Sequence, residues 1–371
     1  MRKLTTMLCF SGLFMLLTSP ALTQNIQWGV NNQLRKEISF PDILEYQTFL
    51  SDLHQHTVFS DGLVWPTVRV DEAWREGLEV IAITDHLEYQ PHKEDIPTNH
   101  NRPYELASRF AEQRNILMIR GSEITKDTPP GHYNAIFLQD SDPIVQDNVL
   151  DAARIATEQG AFVFWNHPGW KGAERGRWEE VQDTLHENNW LHGIEVANGG
   201  SYFEDAHRYA IEHNLTMMGS SDIHQPSMLR FSSPEEHRTM TLIFATEQTP
   251  EAIKEALLAR RTVVWYKNQL IGREEFLRPL LTESLRIQKH QTGRNSLGFL
   301  VTNISDVPFE LERIGSQGPA EITIPARATI QVTLRADEPV DEVQVRYRVK
   351  NLLVAPGEGL EIEASIPLDG E

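Results

Sequence analysis

The chain has 371 residues and a formal net charge of −19, with 53 acidic and 34 basic side chains. This length exceeds that of one average domain and is ample for a large core. The acidic balance disfavours nucleic acid as a partner, because proteins that bind it normally present a basic face. A local basic patch would still be compatible with this charge.

Residues 1–23 are predicted to form a secretory signal peptide. Arg2 and Lys3 precede an apolar stretch at residues 4–17, which is followed by small residues. The stretch is shorter than the roughly 20 apolar residues that a membrane-spanning helix needs. Cleavage would lower the net charge from −19 to −21 and remove the single cysteine, Cys9, which excludes disulfides and thiolate ligands. We therefore expect a secreted or periplasmic protein with no membrane anchor.

The rest of the chain is predicted to form an N-terminal arm (24–48), a main domain (49–280) and a small domain (285–371). In the main domain, apolar runs typical of buried strands alternate with segments in which apolar residues recur at helical spacing. The strands are predicted at 49–53, 80–84, 116–119, 135–138, 161–165, 193–197 and 216–219, and the helices at 68–76, 104–114, 149–159, 203–213 and 251–259. Such alternation predicts parallel βαβ units, and about seven of them favour a closed barrel over an open sheet.

Histidine or acidic residues accompany nearly every predicted strand. In parallel barrels the catalytic groups collect at the carboxyl ends of the strands. The candidates for this rim are His54, His56, Asp61, His86, Glu123, His132, His167, Asp222 and His224. His54 and His56 alternate along one strand and so point the same way, as two ligands of one metal must. His132 differs, because it lies near the start of its predicted strand.

This set of side chains predicts a metal centre. Six imidazoles and three carboxylates without sulfur suit zinc, manganese or iron. One ion takes four to six ligands, so nine ligands predict two or three ions that share a bridging carboxylate. Closely spaced ions lower the pKa of a bridging water and stabilise the attacking and leaving oxygens of an in-line displacement. The sequence therefore predicts hydrolysis of a small phosphomonoester or phosphodiester by a metal-bridging hydroxide.

The same motifs resemble those of the PHP (polymerase and histidinol phosphatase) superfamily over about residues 49–266. The resemblance rests on Asp52-Leu53-His54-Gln55-His56-Thr57, Ser60-Asp61-Gly62, Thr84-Asp85-His86, Glu123, His132, Asn166-His167-Pro168-Gly169 and Ser221-Asp222-Ile223-His224. It implies a distorted (β/α)7 barrel with a trinuclear centre. By position, one ion would be held by His54, His56, Glu123 and Asp222, a second by Glu123, His132 and His167, and a third by Asp61, His86 and His224.

Further residues are candidates for substrate binding and proton transfer. Lys171, Arg175 and Arg177 follow His167 in a Gly-rich loop, where they either bind a substrate phosphate or form a solvated basic loop. Arg230 follows His224 by six residues and has the same two interpretations.

Two more carboxylates are assigned roles. Glu195 ends a predicted strand and is a candidate proton donor. With the metal ligands Glu123 and Asp222 and the basic residues Lys171 and Arg230, it completes the predicted catalytic set. Asp85 either orients a metal ligand or caps a strand end.

The histidines outside the motifs lack metal-like neighbours in the sequence. They are predicted to be surface residues and include His92, His100, His207 and His237.

The small domain is predicted to be an all-β sandwich. From about Leu285, alternating apolar runs punctuated by Gly, Pro and Asp replace helical spacing. These runs carry no clustered histidine or acidic triplet. A packing module is favoured over a carbohydrate- or partner-binding module. The oligomeric state is left open.

Two other function classes are weighed against phosphoester hydrolysis. An amidohydrolase-type metal hydrolase also begins with His-x-His on a barrel strand, but it usually relies on a metal-bridging lysine where this chain has Glu123. A secreted glycan- or partner-binding protein using the barrel as a scaffold is disfavoured by the complete ligand set. Export argues against histidinol phosphate as substrate, because that compound is a cytoplasmic intermediate.

Overall fold

The structure, a computed structural model, describes residues 34–230, 236–293, 296–335 and 342–367. The predicted signal peptide and residues 24–33 of the predicted arm lie outside these ranges. The described helices and strands lie within one compact unit, residues 35–371. Within the described ranges, no helix is both long enough and apolar enough to span a membrane.

The described residues form seven α-helices and eighteen β-strands. The helices are α1 (Pro66–Arg75), α2 (Arg102–Glu112), α3 (Val149–Glu158), α4 (Glu180–Glu187), α5 (Glu204–Glu212), α6 (Pro250–Leu258) and α7 (Glu274–Ser284). The strands of the main domain are β1 (Gln47–Asp52), β2 (Val80–Ile83), β3 (Leu117–Thr125), β4 (His132–Ile136), β5 (Phe162–Trp165), β6 (Gly193–Asn198), β7 (Ser201–Tyr202), β8 (Thr216–Ser220), β9 (Met240–Ala245), β10 (Thr262–Tyr266) and β11 (Gln269–Gly272). Those of the small domain are β12 (Leu285–Gly293), β13 (Ser296–Asn303), β14 (Phe309–Arg313), β15 (Glu321–Ile324), β16 (Thr329–Arg335), β17 (Glu342–Ala355) and β18 (Glu358–Pro367).

Strands β1 to β6, β8 and β9 enclose a distorted α/β barrel, which confirms the predicted fold class. β1, β2 and β3 run parallel, and β5, β6 and β8 form a second parallel group. β9 pairs antiparallel with β1. The hydroxyl of Thr241 in β9 accepts from the backbone N–H of Gly219 in β8 and donates to its carbonyl. These contacts bring the two sides of the sheet together around a common interior.

β4 departs from the predicted series of parallel βαβ units. It runs antiparallel to both β3 and β5, and only residues 126–131 connect it to β3. A parallel crossover needs a dozen or more residues, so this short connection makes a hairpin. The expectation of parallel units is therefore wrong at β4, and the first residue of β4 lies at the rim where the parallel strands end.

Alternation along β5 separates two apolar faces of the barrel wall. Phe162 and Phe164 pack in a cluster to which nearly every barrel strand contributes. Val163 and Trp165 pack in a second cluster that includes residues of α3, α4 and α5. Successive side chains of a strand point to opposite faces, so a strand covered on both sides reads as one continuous apolar run. This explains the four consecutive apolar residues of β5.

The small domain is an all-β sandwich, as predicted. One sheet contains β12, β13 and β16, and the other contains β14, β15, β17 and β18. β17 also pairs parallel with β11, where Leu270 lies opposite Leu352 and Ile271 opposite Leu353. An apolar cluster that includes Leu270, Leu352 and Phe309 runs through this junction. Continuous backbone pairing between the domains favours the packing role.

Candidate metal centre

Each predicted metal ligand lies at one end of the barrel, on β3, on β4 or on a loop after β1, β2, β5 or β8. Residues beyond the strand ends continue the backbone pairing. Gln55 bridges to Ile223 and His86 bridges to Glu123, both in parallel orientation. The backbone N–H of Asp222 donates to the carbonyl of His54 at 3.0 Å. Paired loops thus place ligands from distant parts of the chain side by side.

All nine predicted ligands come together in this structure. Their nitrogen and oxygen atoms form four groups, and within each group the atoms lie within 4.8 Å of one another. The groups are His56–Asp61–His86–His224, His54–Glu123–His167, His54–His56–Asp222 and His86–Glu123–His132. Several members belong to two groups, so the groups are adjoining parts of one centre.

Glu123 lies in the middle of this centre and is fully buried. Its Oε1 lies 3.2 Å from His132 Nδ1, 3.4 Å from His54 Nε2 and 3.5 Å from His167 Nε2. Its Oε2 contacts His86 Nδ1. Two ligands that each lie about 2.1 Å from one ion at a tetrahedral angle are about 3.4 Å apart. The observed spacings match that separation and suit a carboxylate shared by two ions.

Asp222 joins the two histidines of the His-x-His motif. Its Oδ1 lies 3.0 Å from His56 Nε2 and 3.2 Å from His54 Nε2. The two imidazole nitrogens also face each other at 3.0 Å. At most one proton fits between two such nitrogens, so at least one of them directs a lone pair at the point that Asp222 Oδ1 also faces. A divalent cation is the group that fits this arrangement.

The group formed by His56, Asp61, His86 and His224 is the most open part of the centre. Asp61 Oδ1 lies 3.1 Å from His224 Nε2 and 3.5 Å from His86 Nε2. The His224 side chain is 32% exposed and that of Asp61 26%. The loop can return this closely because Gly62 has no side chain, since a Cβ there would lie 2.5 Å from the backbone carbon of His56. Solvent reaches the centre from this side.

The buried charges shift the pKa values of the ligands in opposite directions. Burial raises the pKa of Glu123, but the charges of His86 and His54 outweigh it and hold that pKa well below its usual range. Burial and the charges of His86 and His224 lower the pKa of His56 to about 3. Burial lowers the pKa of His86, whereas the Glu123 carboxylate raises it to about 9. The ionised carboxylates therefore need positive charge, which divalent ions supply as well as protonated imidazoles do.

Two ligands have backbone conformations that are uncommon for residues other than glycine. φ is 29° at His167 and 50° at Asp222. Such conformations cost of the order of 1–3 kcal/mol and persist where the surroundings determine them. Next to Asp222, the backbone N–H and the hydroxyl of Ser221 both donate to the buried carboxylate of Asp52. The fold thus holds Asp222 in a strained position that serves the centre.

Comparison with solved structures identifies the family. A two-domain protein from Bacteroides vulgatus, described as containing a predicted PHP-like metal-dependent phosphoesterase, is 42% identical to this chain. The match covers 90% of this chain and 99% of that protein, with a TM-score of 0.88. The chain belongs to the PHP-like metal-dependent phosphoesterase family. Within the present chain, residues 284–365 match a family model described as an Ig-like domain, DUF5001.

Two further solved structures are more distant from this PHP protein. A candidate metal-dependent phosphoesterase from Bifidobacterium adolescentis is 18% identical, and the match covers 57% of this chain and 96% of that one, with a TM-score of 0.39. An amidohydrolase from Chromobacterium violaceum with bound sulfate and no metal is 17% identical, with coverages of 58% and 98% and a TM-score of 0.36. Similarities this low carry no argument about function. The comparison with curated proteins found no match.

Polar residues behind the PHP ligands hold the loops in place. Asp85 accepts from the backbone N–H and hydroxyl of Thr57 and from the hydroxyl of Ser60, so it orders the loop between His56 and Asp61. This contact pattern favours ligand orientation over the strand-end cap for Asp85.

Several supporting residues escaped the sequence reasoning. Asn166 Nδ2 donates to Glu123 Oε1 at 2.7 Å, and its position next to a ligand was the available signal. Arg69 is fully buried and donates to the backbone carbonyls of His56, Ile223 and Gln225. No local pattern marks Arg69, which looks like an ordinary polar residue of α1.

Glu195 lies behind His54 and not on the open side of the centre. Its Oε1 lies 3.0 Å from His54 Nδ1, and its Oε2 accepts from the backbone N–H of His167 and from Asn198 Nδ2, both at 2.8 Å. Such a carboxylate fixes the ring so that Nε2 faces Glu123 and Asp222, where a metal ion would bind. The predicted role of Glu195 as proton donor is therefore replaced by a positioning role.

Glu195→Gln is expected to lower metal affinity by about 10–100-fold. The amide keeps the shape of the side chain but loses the charge that holds the His54 ring with Nδ1 protonated. Metal content after dialysis against graded concentrations of a chelator measures the effect. The exposed Glu204 supplies the matched control, Glu204→Gln. Equal metal retention in both variants would contradict the positioning role.

The predicted phosphate-binding residues differ in their surroundings. Lys171, Arg175 and Arg177 are all exposed. Lys171 Nζ lies 4.6 Å from the ring centroid of Trp170, whereas Arg177 pairs with Glu174. Arg230 is exposed too, and its Nη1 donates to the carbonyl of Ser221 at 3.5 Å, one residue before the ligand Asp222. These contacts connect Lys171 to Trp170 and Arg230 to the loop that carries Asp222, whereas Arg177 is paired with an acidic residue.

Two histidines predicted to be surface residues pack against other side chains, one of them fully buried and the other partly buried. His207 is fully buried, and its Nδ1 lies 2.8 Å from the hydroxyl of Tyr202. It belongs to the same buried face of α5 as Ala206 and Ala210. His237 stacks on Trp265 with 3.6 Å between ring centroids. The surface assignment is wrong for His207, whereas His237 is partly exposed beside Trp265.

Proposed function

We propose that this protein hydrolyses phosphate esters with three divalent ions. The convergence of six imidazoles and three carboxylates in overlapping groups around Glu123 carries the proposal. The three subsites would be His54–His56–Glu123–Asp222, Glu123–His132–His167 and Asp61–His86–His224. Zinc, manganese and iron suit this donor set.

The protein's own residues would hold the reacting groups. Bound divalent ions supply Lewis acidity and a water of lowered pKa for attack on phosphorus. Glu123 and Asp222 lie between the ligand imidazoles and hold them around the centre, and Glu195 orients His54. Lys171 and Arg230 would neutralise the phosphate oxygens at the open side, where charge develops in the transition state.

A panel of phosphomonoesters and phosphodiesters, assayed after adding Mn²⁺, Zn²⁺ or Fe²⁺ to metal-free protein, tests this function. We expect hydrolysis of at least one class, loss of activity on chelation, and recovery with Mn²⁺ or Zn²⁺. Ligands without thiolate leave the ions exchangeable, which is why recovery is expected. A metal-loaded protein that hydrolyses no phosphate ester, or activity that a chelator leaves intact, would contradict the proposal.

The proposed substrate is a small phosphorylated molecule outside the cytoplasm. The signal-peptide pattern at residues 1–23 supports export, and the net charge of −19 argues against nucleic acid. Sequencing the N-terminus of the mature protein tests export. We expect it to begin between Leu22 and Asn25, and an intact cytoplasmic chain beginning at Met1 would contradict this.

A further inference from the structure

Several exposed apolar side chains lie on the loops that carry the predicted metal ligands. These loops follow β1, β2, β5 and β8, and each of the side chains is 44–71% exposed: Leu63, Trp65, Tyr89, Trp170, Met228 and Leu229. Clusters of exposed apolar groups on soluble proteins mark interaction or ligand-binding sites. Here the cluster borders a centre made of charged and polar groups.

Two of these side chains stand directly against ligand imidazoles. The ring centroid of Trp170 lies 5.7 Å from that of His132 and 5.6 Å from that of His167. The ring of Tyr89 lies 6.0 Å from His86, and the rings of His86 and His132 are 5.7 Å apart. The contacts run in series from Tyr89 through the two imidazoles to Trp170. A group bound at these imidazoles would therefore have an aromatic ring close by on either side.

The fold gives little reason for these two exposed rings. Trp170 is 51% exposed and Tyr89 53%, so about half of each ring surface stays in water. The backbone N–H of Trp170 donates to the carbonyl of His167 at 3.1 Å, which ties its position to a metal ligand. Lys171 Nζ, 4.6 Å from the Trp170 ring, adds positive charge at the same place. An anionic ester with an apolar alcohol part matches this combination.

We propose that Tyr89 and Trp170 select phosphate esters whose alcohol part is apolar, with aromatic rings preferred. This inference rests on the proposed phosphoesterase function and adds the substrate class to it. The phosphate lies at the ligand imidazoles, and the alcohol part packs against Trp170 and Tyr89. Burying the alcohol part against either ring removes apolar surface from water, and an aromatic alcohol part adds the favourable contact geometry of aromatic pairs.

Binding and turnover of matched compounds test the selection. Calorimetry on the metal-loaded protein compares benzylphosphonate with ethylphosphonate, and kcat/KM compares benzyl phosphate with ethyl phosphate, both esters of primary alcohols. We expect the benzyl compounds to be favoured by about tenfold or more. Trp170→Ala and Tyr89→Ala should each reduce this ratio severalfold, and Trp170→Phe should retain most of it. Ile287→Ala, which removes an exposed apolar residue of the small domain, should leave the ratio unchanged.

The ratio of benzyl to ethyl values separates lost selection from a damaged metal centre. Damage to the centre would weaken both compounds alike, because both depend on the same ligands. Equal binding of the two phosphonates by the wild-type protein would overturn the inference. A benzyl preference that survives both alanine variants would overturn it too. A protein that hydrolyses neither ester but binds benzylphosphonate through Trp170 would instead refute the phosphoesterase function and keep the aromatic selection.

Discussion

Glu123→Ala is expected to lower phosphoester hydrolysis by orders of magnitude and to remove more than one metal ion per chain. The Glu123 carboxylate lies within 3.5 Å of ring nitrogens on His54, His132 and His167 and also contacts His86. Its loss would therefore weaken two subsites at once. Because the position is buried, an exposed side chain cannot take the place of the missing carboxylate. Elemental analysis and kcat on a phosphate ester measure the two effects.

Two variants separate the loss of a bridging ligand from the loss of a nearby carboxylate. Glu88→Ala removes a carboxylate that pairs with Lys126 and accepts from the Thr125 backbone, and it should leave metal content unchanged. Glu123→Gln keeps the volume but not the charge, so it should behave like Glu123→Ala. The three-ion assignment would not survive a Glu123→Ala protein with wild-type turnover and metal content.

Strand ends explain why so much of the centre could be predicted from sequence. His54, His86 and His167 each come shortly after a buried apolar run, and parallel strands bring the residues at their carboxyl ends to one rim. His132 precedes the predicted strand at 135–138 and would lie at the opposite rim in a uniformly parallel barrel. The antiparallel direction of β4 reverses that expectation and brings His132 to Glu123. The motif resemblance thus identified His132 as a ligand, whereas the strand pattern did not predict the β3–β4 hairpin that brings it to the centre.

The contacts through which other side chains hold the ligands could not be predicted from the sequence, for a physical reason. Glu195 meets His54 across 141 positions of the chain, and Arg69 meets Ile223 across 154. Such pairs form only when the barrel closes, so neither periodicity nor spacing marks them. From residue type alone, an arginine is predicted to lie at the surface, because arginine is rarely buried unless it is paired.

Arg238→Ala is expected to destabilise the fold by about 3–5 kcal/mol and to loosen metal binding with it. Arg238 is fully buried, and its Nη1 donates to Asp52 Oδ2 at 2.8 Å. Its Nε and Nη2 donate to the two carboxylate oxygens of Glu76 at 2.8 and 2.9 Å. Removing the guanidinium leaves two carboxylates without their counter-charge. Asp52 also holds Ser221, so its displacement would shift the neighbouring ligand Asp222.

The pH dependence of this destabilisation has a defined sign. Burial raises the pKa of Glu76, but Arg238 outweighs it and holds that pKa below the usual 4.5. A carboxyl group with a depressed pKa stabilises the folded state above its unfolded pKa, and this contribution is lost as the pH falls. The difference in unfolding free energy between the wild-type and Arg238→Ala proteins should therefore narrow below about pH 4.5. Denaturant titrations at pH 7 and pH 4 measure it.

A surface arginine provides the matched control for Arg238. Arg154 pairs with Glu158 on the exposed face of α3, and Arg154→Ala should leave both the melting temperature and the metal content unchanged. Metal content of Arg238→Ala at a temperature where it is fully folded separates a displaced Asp222 from global unfolding. If the Arg238→Ala protein has the same melting temperature as the wild type at pH 7 and retains all its ions, the buried arginine neither stabilises the barrel nor positions the centre.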